Sequence, residues 1–314
     1  MINIFPFAGY PVAVLGLGRD GVGTARALTH SEAEVVAWDF DPRRRDEAVE
    51  MGIAVRDWTD GDLRQFTTVV SCPDIAVDPR ATAVVARARA AGCEIISDIE
   101  LLARSQRECG YIGVAGSNGS AFTSALIGHV LSVTGREAET IGLAPTCALD
   151  SEPLGMEGAY VLEMSPFRLE HTVSITFDIA VFLGDGEGGQ DSDIKRLAPE
   201  LFRRQTHPRA AVVVIDTPYG QMLHDTLADK NEQRVLAVSR NATLMRGVFV
   251  KDGALFDATE GDDPVPVVDL SALCADEHFG CVAAAFGAAL AAGVKPYQAM
   301  AAINSFPDFD ADAA

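Results

Sequence analysis

Apolar residues fall along this chain in two rhythms: short, mostly apolar runs alternate with stretches in which apolar positions return every three or four residues. Up to Ile99 the first rhythm predicts strands at Val12-Ala-Val-Leu-Gly16, Glu34-Val-Val-Ala-Trp38, Thr68-Val-Val-Ser71 and Cys93-Glu-Ile-Ile96. The second predicts a helix running through Leu28 and another over 81–91. Strands that alternate with helices imply parallel pairing through right-handed crossovers, an α/β doubly wound domain. The pattern restarts at Tyr111-Ile-Gly-Val-Ala115, passes through Gly116-Ser-Asn-Gly119 and enters a helix from Ser120 to about Thr134. Further strands are expected at 160–163, 179–183, 211–215 and 235–238, and helices over 275–292 and 296–305. The polar stretch 104–108 separates the two patterns and sets domains of 1–107 and 108–314, with the acidic tail 308–314 expected to fray.

The first glycine turn carries chemistry. Gly16-Leu-Gly18-Arg19-Asp20-Gly21 follows a strand, opens a helix and is followed by Asp39 at the end of the next strand. That order presents backbone N–H groups and a helix N-terminus to a diphosphate, with Asp39 near a ribose. Tight strand-to-helix turns also use glycine for steric reasons where nothing binds, so the turn alone does not choose between NAD, a uridine diphosphate sugar and no ligand.

Charge narrows the partners. Acidic residues number 45 against 25 Lys plus Arg, a balance that repels nucleic-acid backbones and anionic lipid. No window reaches the roughly 18 apolar residues of a membrane span, and no secretory leader precedes the first strand, so a cytoplasmic location is expected. The six cysteines (Cys72, Cys93, Cys109, Cys147, Cys274, Cys281) include no C-x-x-C pair and read as buried free thiols, with no metal framework.

The second glycine turn, Ala115-Gly116-Ser117-Asn118-Gly119-Ser120-Ala121-Phe122, resembles the T-G-S-N-G-K-S-T phosphate loop of the Mur ligases, in particular the branch that adds D-glutamate. Three further segments carry the resemblance. Ala91-Gly-Cys-Glu-Ile-Ile-Ser-Asp-Ile-Glu-Leu101 is similar to A-G-x-E-I-x-G-D-I-E-L, Val161-Leu-Glu-Met-Ser-Pro-Phe-Arg-Leu-Glu170 resembles L-E-L-S-S-F-Q-L-E, and Ser71-Cys72-Pro73-Asp74-Ile-Ala76 resembles the S-P-G-I-A loop beside the uracil. The implied architecture is a Rossmann-like uridine-nucleotide domain followed by a Mur-type, P-loop-like ATPase domain. The implied reaction activates a carboxylate with ATP, through an acyl phosphate, before an amino acid attacks.

Against that pattern the chain departs where ATP chemistry is concentrated. The loop lysine that neutralises phosphates is Ser120, and the magnesium-ligating hydroxyl is Ala121. Thr123 and Ser124 stand too far round the helix to replace both groups. The N-x-T-x-D-H-x-D stretch corresponds to Gly184-Asp-Gly-Glu-Gly-Gly-Gln-Asp191, with Gly184 and Gly189 in place of Asn and His. No lysine stands near Glu200 or Leu201, where the family carbamylates one, and Lys195 is offset. The adenine-contacting H-N-x-x-N aligns with Glu277-His-Phe-Gly-Cys281, leaving Glu163 as the one surviving magnesium-type ligand and a relic candidate. The chain also stops at Phe306-Pro-Asp-Phe-Asp310, about where the family's acceptor domain would begin.

In the first domain Gly16, Gly18, Arg19, Asp20, Gly21, Asp39, Cys72 and Pro73 are the nucleotide-binding candidates, although Asp74 replaces a family glycine and Asp41 an arginine-like residue. The expected role is a catalytically impaired homologue, with no cofactor of its own, that binds a UDP-N-acetylmuramoyl-type precursor or UDP, or docks on cell-wall synthesis proteins. The competing readings are an active ligase using ATP and magnesium and completed by a partner chain, and an NAD-linked oxidoreductase for which no catalytic His, Tyr or Lys stands out.

Overall fold

The central apolar runs, 12–15, 68–71, 179–182 and 210–214, become strands buried on both faces, as a parallel sheet covered by helices requires. In the computed structural model, which describes residues 1–142, 147–186, 190–261 and 263–307, two units form, each around its own sheet. The tail expected to fray from Asp308 onward lies outside the described residues.

The first unit holds β1 (Pro11–Leu15), α1 (Arg19–His30), β2 (Glu34–Trp38), α2 (Pro42–Glu50), β3 (Thr68–Ser71), α3 (Pro79–Ala90), β4 (Glu94–Ile96) and α4 (Asp98–Ser105). Its strands pair in the order β2-β1-β3-β4, all parallel. Local chemistry sets the helix starts. Asp41, Asp78 and Ser97 each accept an N–H of the first turn of α2, α3 and α4, and proline stands in the first turn of α2 and α3. The unit also takes in Gly142–Pro153 and Phe167–Ile175, which a boundary at Arg107 assigns to the second domain.

Those added segments explain two of the family-like motifs. Arg168, 3% exposed, donates from Nη2 to Asp98 Oδ2 (2.8 Å) and Asp20 Oδ2 (3.1 Å). Glu100, fully buried, accepts the backbone N–H of Val173 at 2.7 Å and of Ser174 at 2.9 Å, and also pairs with Arg104 at 2.8 Å. The acidic residues of Asp98-Ile-Glu-Leu101 thus answer groups about seventy positions later, in the segment beginning Phe167-Arg-Leu-Glu170.

The second unit contains β5 (Gly110–Ala115), α5 (Ser120–Val133), β6 (Ala138–Ile141) and β7 (Ala159–Glu163), whereas the short α6 (Pro166–Glu170) belongs from Phe167 onward to the first. The second unit continues with β8 (Ile179–Phe182), α7 (Ser192–Leu201), β9 (Ala210–Val214), α8 (Pro218–Lys230) and β10 (Arg234–Ser239). Then come β11 (Gly247–Lys251), β12 (Ala254–Ala258), β13 (Val265–Asp269), α9 (Phe279–Ala291) and α10 (Pro296–Asn304). The sheet runs β13-β12-β11-β10-β9-β8-β5-β7-β6. It is parallel from β6 to β11, and β12 and β13 add antiparallel. Helices α5, α9 and α10 pack their Leu, Ile, Val, Ala and Phe side chains on this sheet as one core.

The antiparallel edge is absent from the sequence expectation. Its signal is the pair Asp252-Gly253 between β11 and β12, with φ of +49° and +75°, a two-residue hairpin of the Asp-Gly kind. Of the cysteines expected to be buried, Cys72, Cys93, Cys109 and Cys147 are, whereas Cys274 and Cys281 are only partly covered; all are free. They sit where 3-10 turns lead into α9, nearer the surface than a strand core. No helix among the described residues is long and apolar enough to cross a membrane.

The buried cation gives the first prediction. Removing one partner of a buried ion pair strands the other charge, at a cost of about 3–5 kcal/mol. Arg168→Met is therefore expected to lower the unfolding free energy of the first unit by about that much in urea denaturation followed by circular dichroism. A loss below about 1 kcal/mol would mean that Asp98 and Asp20 are better solvated than their burial indicates.

Candidate functional site

Ligands of open α/β sheets bind beyond the carboxyl ends of strands, where strand order reverses, and each unit places a glycine turn at such a point. In the first unit the reversal falls between β1 and β3. The turn after β1 and the Cys72-Pro73-Asp74 segment after β3 converge there. Gly16 has φ +99°, and a Cβ on Gly21 would strike the Gly16 carbonyl, so these glycines close the turn and let α1 pack on it.

The N–H groups of this turn are already engaged. Leu17 N–H donates to Asp39 Oδ2 at 2.7 Å, and Gly18 N–H donates to Asp74 Oδ2 at 3.0 Å. Arg44, from α2, binds the same Asp74 oxygen at 2.6 Å and Asp39 Oδ2 at 3.4 Å. Burial pushes the Asp74 carboxyl above the usual carboxylate range; Arg44 opposes the shift and Asp39 adds to it. Beside this cluster lies a cleft of about 800 Å³ bordered by Asp39, Phe40, Arg44, Asp74, Asp78 and Arg80, with the Arg80 guanidinium 4.4 Å from the Phe40 ring centre.

The candidate residues of this unit therefore divide. Gly16, Gly18 and Gly21 build the turn as expected of a cradle. Asp39, expected beside a ribose, is 2% exposed and spends Oδ1 on the Asp41 N–H (2.8 Å) and Oδ2 on Leu17. Arg19 pairs with its neighbour Asp20 at 2.8 Å, and Asp20 turns inward to Arg168, so neither presents a free group at the tip of the turn. Cys72 packs beneath the glycines, fully buried, and Pro73 starts a single 3-10 turn. Arg44 is the residue that sequence reasoning missed. Its signal was the capped, proline-started helix Asp41-Pro-Arg-Arg-Arg45, whose first turn sends an arginine back toward the sheet end.

In the second unit β5 lies between β7 and β8, and the loop of Gly116, Ser117, Asn118 and Gly119 leads into α5. Gly119 is left-handed, with φ +75°, and a Cβ there would strike Cys281 Sγ. Ser117 Oγ donates to Asp191 Oδ2 at 3.1 Å, while Asp191 Oδ1 caps α7 through the Ile194 N–H at 2.9 Å. Ser120 Oγ donates to Glu163 Oε1 at 2.9 Å, and Ala121 is exposed on the first turn of α5. Thr123 and Ser124 are fully buried on that helix.

Around the loop, Phe122 stacks on His278 with ring centres 4.5 Å apart, joining the end of the loop motif to the element aligned with adenine contacts. Lys195 Nζ lies 3.6 Å from the buried Asp185, which also accepts from Thr217 Oγ1 at 2.5 Å. Glu200, aligned near the family's modified lysine, pairs with Arg203 at 3.1 Å, and Leu201 is buried. Position 189, aligned with the family histidine, lies outside the described residues. A cleft of about 430 Å³ remains beside the loop, bordered by Asn118, Gly184, Asp216, Arg240, Glu277 and Cys281. No group of three or more His, Cys, Asp or Glu among the described residues is arranged to hold a metal ion.

Gly119 supplies a test of this geometry. A left-handed φ costs an L-residue about 1–2 kcal/mol, and overpacking adds about 1–3 kcal/mol. Gly119→Ala is expected to destabilise by the sum, and Cys281→Gly in the same chain to recover only the packing part. Full recovery, measured by denaturant unfolding, would mean that the left-handed backbone imposes no strain.

No protein-family model matches the chain. Among curated proteins it is 36% identical, over 98% of its length, to UDP-N-acetylmuramoylalanine–D-glutamate ligase of Rhodospirillum rubrum, and spans 67% of that protein. It is 33% identical over 98% of its length to the ligase of the same name from Caulobacter sp. strain K31, spanning 68% of it. Among solved structures it superposes on UDP-N-acetylmuramate:L-alanyl-gamma-D-glutamyl-meso-diaminopimelate ligase from Neisseria meningitides, with a TM-score of 0.63 and 18% identity over 95% of this chain and 98% of that one. UDP-N-acetylmuramate-alanine ligase from Thermotoga maritima matches with a TM-score of 0.57 and 13% identity, covering 95% of this chain and 68% of that one. At these identities the structural likeness establishes the α/β fold.

Proposed function

We propose a role that proceeds from family: this chain belongs to the Mur ligases, in the branch of UDP-N-acetylmuramoylalanine–D-glutamate ligases. Within it the chain is a catalytically silent member, a sensor or scaffold that binds a UDP-sugar peptidoglycan precursor or a cell-wall enzyme without activating a carboxylate through ATP.

The observation that carries this reading is the hydrogen bond from Ser120 to Glu163. Phosphoryl transfer depends on positive charge held against the departing phosphate, and a hydroxyl at the lysine position supplies none. The one surviving magnesium-type carboxylate is engaged by that same hydroxyl. The donor set does not fit ATP with magnesium: Ala121 offers no oxygen, Ser117 is spent on Asp191, and Phe122 on His278 substitutes apolar stacking for base contacts. Losing one charge-stabilising group costs about two to three orders of magnitude in rate, so the combined losses leave no useful turnover. In the first unit, the turn at the β1/β3 reversal and its adjoining cleft support a nucleotide-diphosphate ligand.

A second reading is an active ligase completed by another chain. It is favoured by the ligase names of the relatives and by the cleft of about 430 Å³ beside the loop, where Arg240 could meet a phosphate. The NAD-linked reading is weakened by family membership and by Asp39, whose oxygens are both taken by backbone amides.

The discriminating measurement is phosphate release with ATP, magnesium, UDP-N-acetylmuramoyl-L-alanine and D-glutamate. No release above background is expected from the purified protein, alone or with Ser120→Lys and Ala121→Ser combined, because the stacked base site and the altered acidic loop stay in place. Release that requires both substrates would establish the second reading instead.

A further inference from the structure

The first unit has a feature that its family membership does not supply, and it bears on how any diphosphate could reach the turn. We infer that the Asp74 carboxylate is a built-in occupant of this unit's anion cradle, standing on the Gly18 N–H where a phosphate oxygen would bind, so that a nucleotide diphosphate enters only when Asp74 is displaced.

Three observations carry this. First, the acceptor on Gly18 N–H comes from another element, fifty-six residues away and at the end of a different strand, so it is not part of the turn's own closure. Second, the glycine that lets an anion approach serves this carboxylate: a Cβ on Gly18 would run into Asp74 Oδ1's partner oxygen, Oδ2, and its carboxyl carbon. Third, the cation that would attract a diphosphate, Arg44, is bound at 2.6 Å to the oxygen that Gly18 also binds. Together the N–H and the guanidinium hold Oδ2 as they would hold a phosphate oxygen.

The occupant is held at a cost. Burial pushes the Asp74 carboxyl upward despite Arg44, and Asp39 shares the same arginine and adds repulsion. A side chain that is 24% exposed, on a single 3-10 turn bordering a cleft of about 800 Å³, has room to swing away. Arg44 then passes from carboxylate to phosphate. Where the family motif has glycine in this loop, no side chain competes; here the competitor is intramolecular and always present.

This inference deepens the reading of the first unit as a uridine-diphosphate site and rests on it, and two probes separate them. Calorimetric titration of the full chain with inorganic pyrophosphate and with UDP is compared for the wild type, Asp74→Gly, Asp74→Asn and Asp74→Gly combined with Arg44→Met. Circular dichroism verifies folding, and Asp74→Asn keeps the side chain's shape should Asp74→Gly unfold. Both single variants are expected to bind both probes at least tenfold more tightly than wild type, with the gain lost when Arg44 is also replaced. Tighter pyrophosphate binding with UDP no better would keep the internal occupant and refute the uridine assignment. UDP binding to wild type as tight as to the variants would overturn the occupant and keep that assignment. No binding of either probe to any of the proteins would overturn the inference, since a cradle relieved of its carboxylate must take an anion.

Discussion

Backbone N–H groups at a strand-to-helix turn have to be answered, and in the first unit the protein answers them with its own carboxylates. Leu17 and Gly18 cannot bond within α1 because they precede its first full turn, and the helix dipole makes an anion the favourable partner. Asp39 and Asp74 supply that anion from two different strand ends, and Arg44 balances both. Much of the unit is arranged around this cluster: the glycines that bring β1 and α1 close, the capped helix α2 that delivers the arginine, and the 3-10 turn that presents Asp74.

In the second unit the loop's contacts are hydroxyl-to-carboxylate bonds and a ring stack. Its glycine loop includes a left-handed Gly119, and a hydroxyl and a ring at the start of α5 contact Glu163 and His278. These contacts cluster in space. Ser120 meets Glu163, Phe122 meets His278, and Cys281 stands over Gly119, so elements distant in sequence meet at the loop. Contacts of this kind keep the loop packed, because a buried polar group left unanswered is costly.

In both units backbone architecture and side-chain chemistry answer to different constraints. A parallel sheet with right-handed crossovers forces glycine turns to the carboxyl ends of its strands whatever the turns bind, whereas each catalytic side chain depends on a single position. The buried bridge from Arg168 to Asp98 and Asp20 shows the structural side of that separation: matched motif segments persist here as packing.

Alone, the sequence determined the alternation of strands and helices, both glycine turns, the kinship, and the presence of Ser120 and Ala121 after the second turn, because periodicity and motif spacing are local properties of the chain. It also held an unread local signal, the Asp252-Gly253 hairpin that adds antiparallel strands to the sheet edge. Only the tertiary structure decided what the candidate residues face. Asp39 and Asp20 read as ligand-facing acids and are instead bound to the backbone and to Arg168; Asp74 read as the replacement of a family glycine and sits on the Gly18 N–H; Arg44 carried no motif at all. The longer of those pairings join groups 22 to 148 positions apart, and no pattern within a strand or a helix encodes which distant partner arrives.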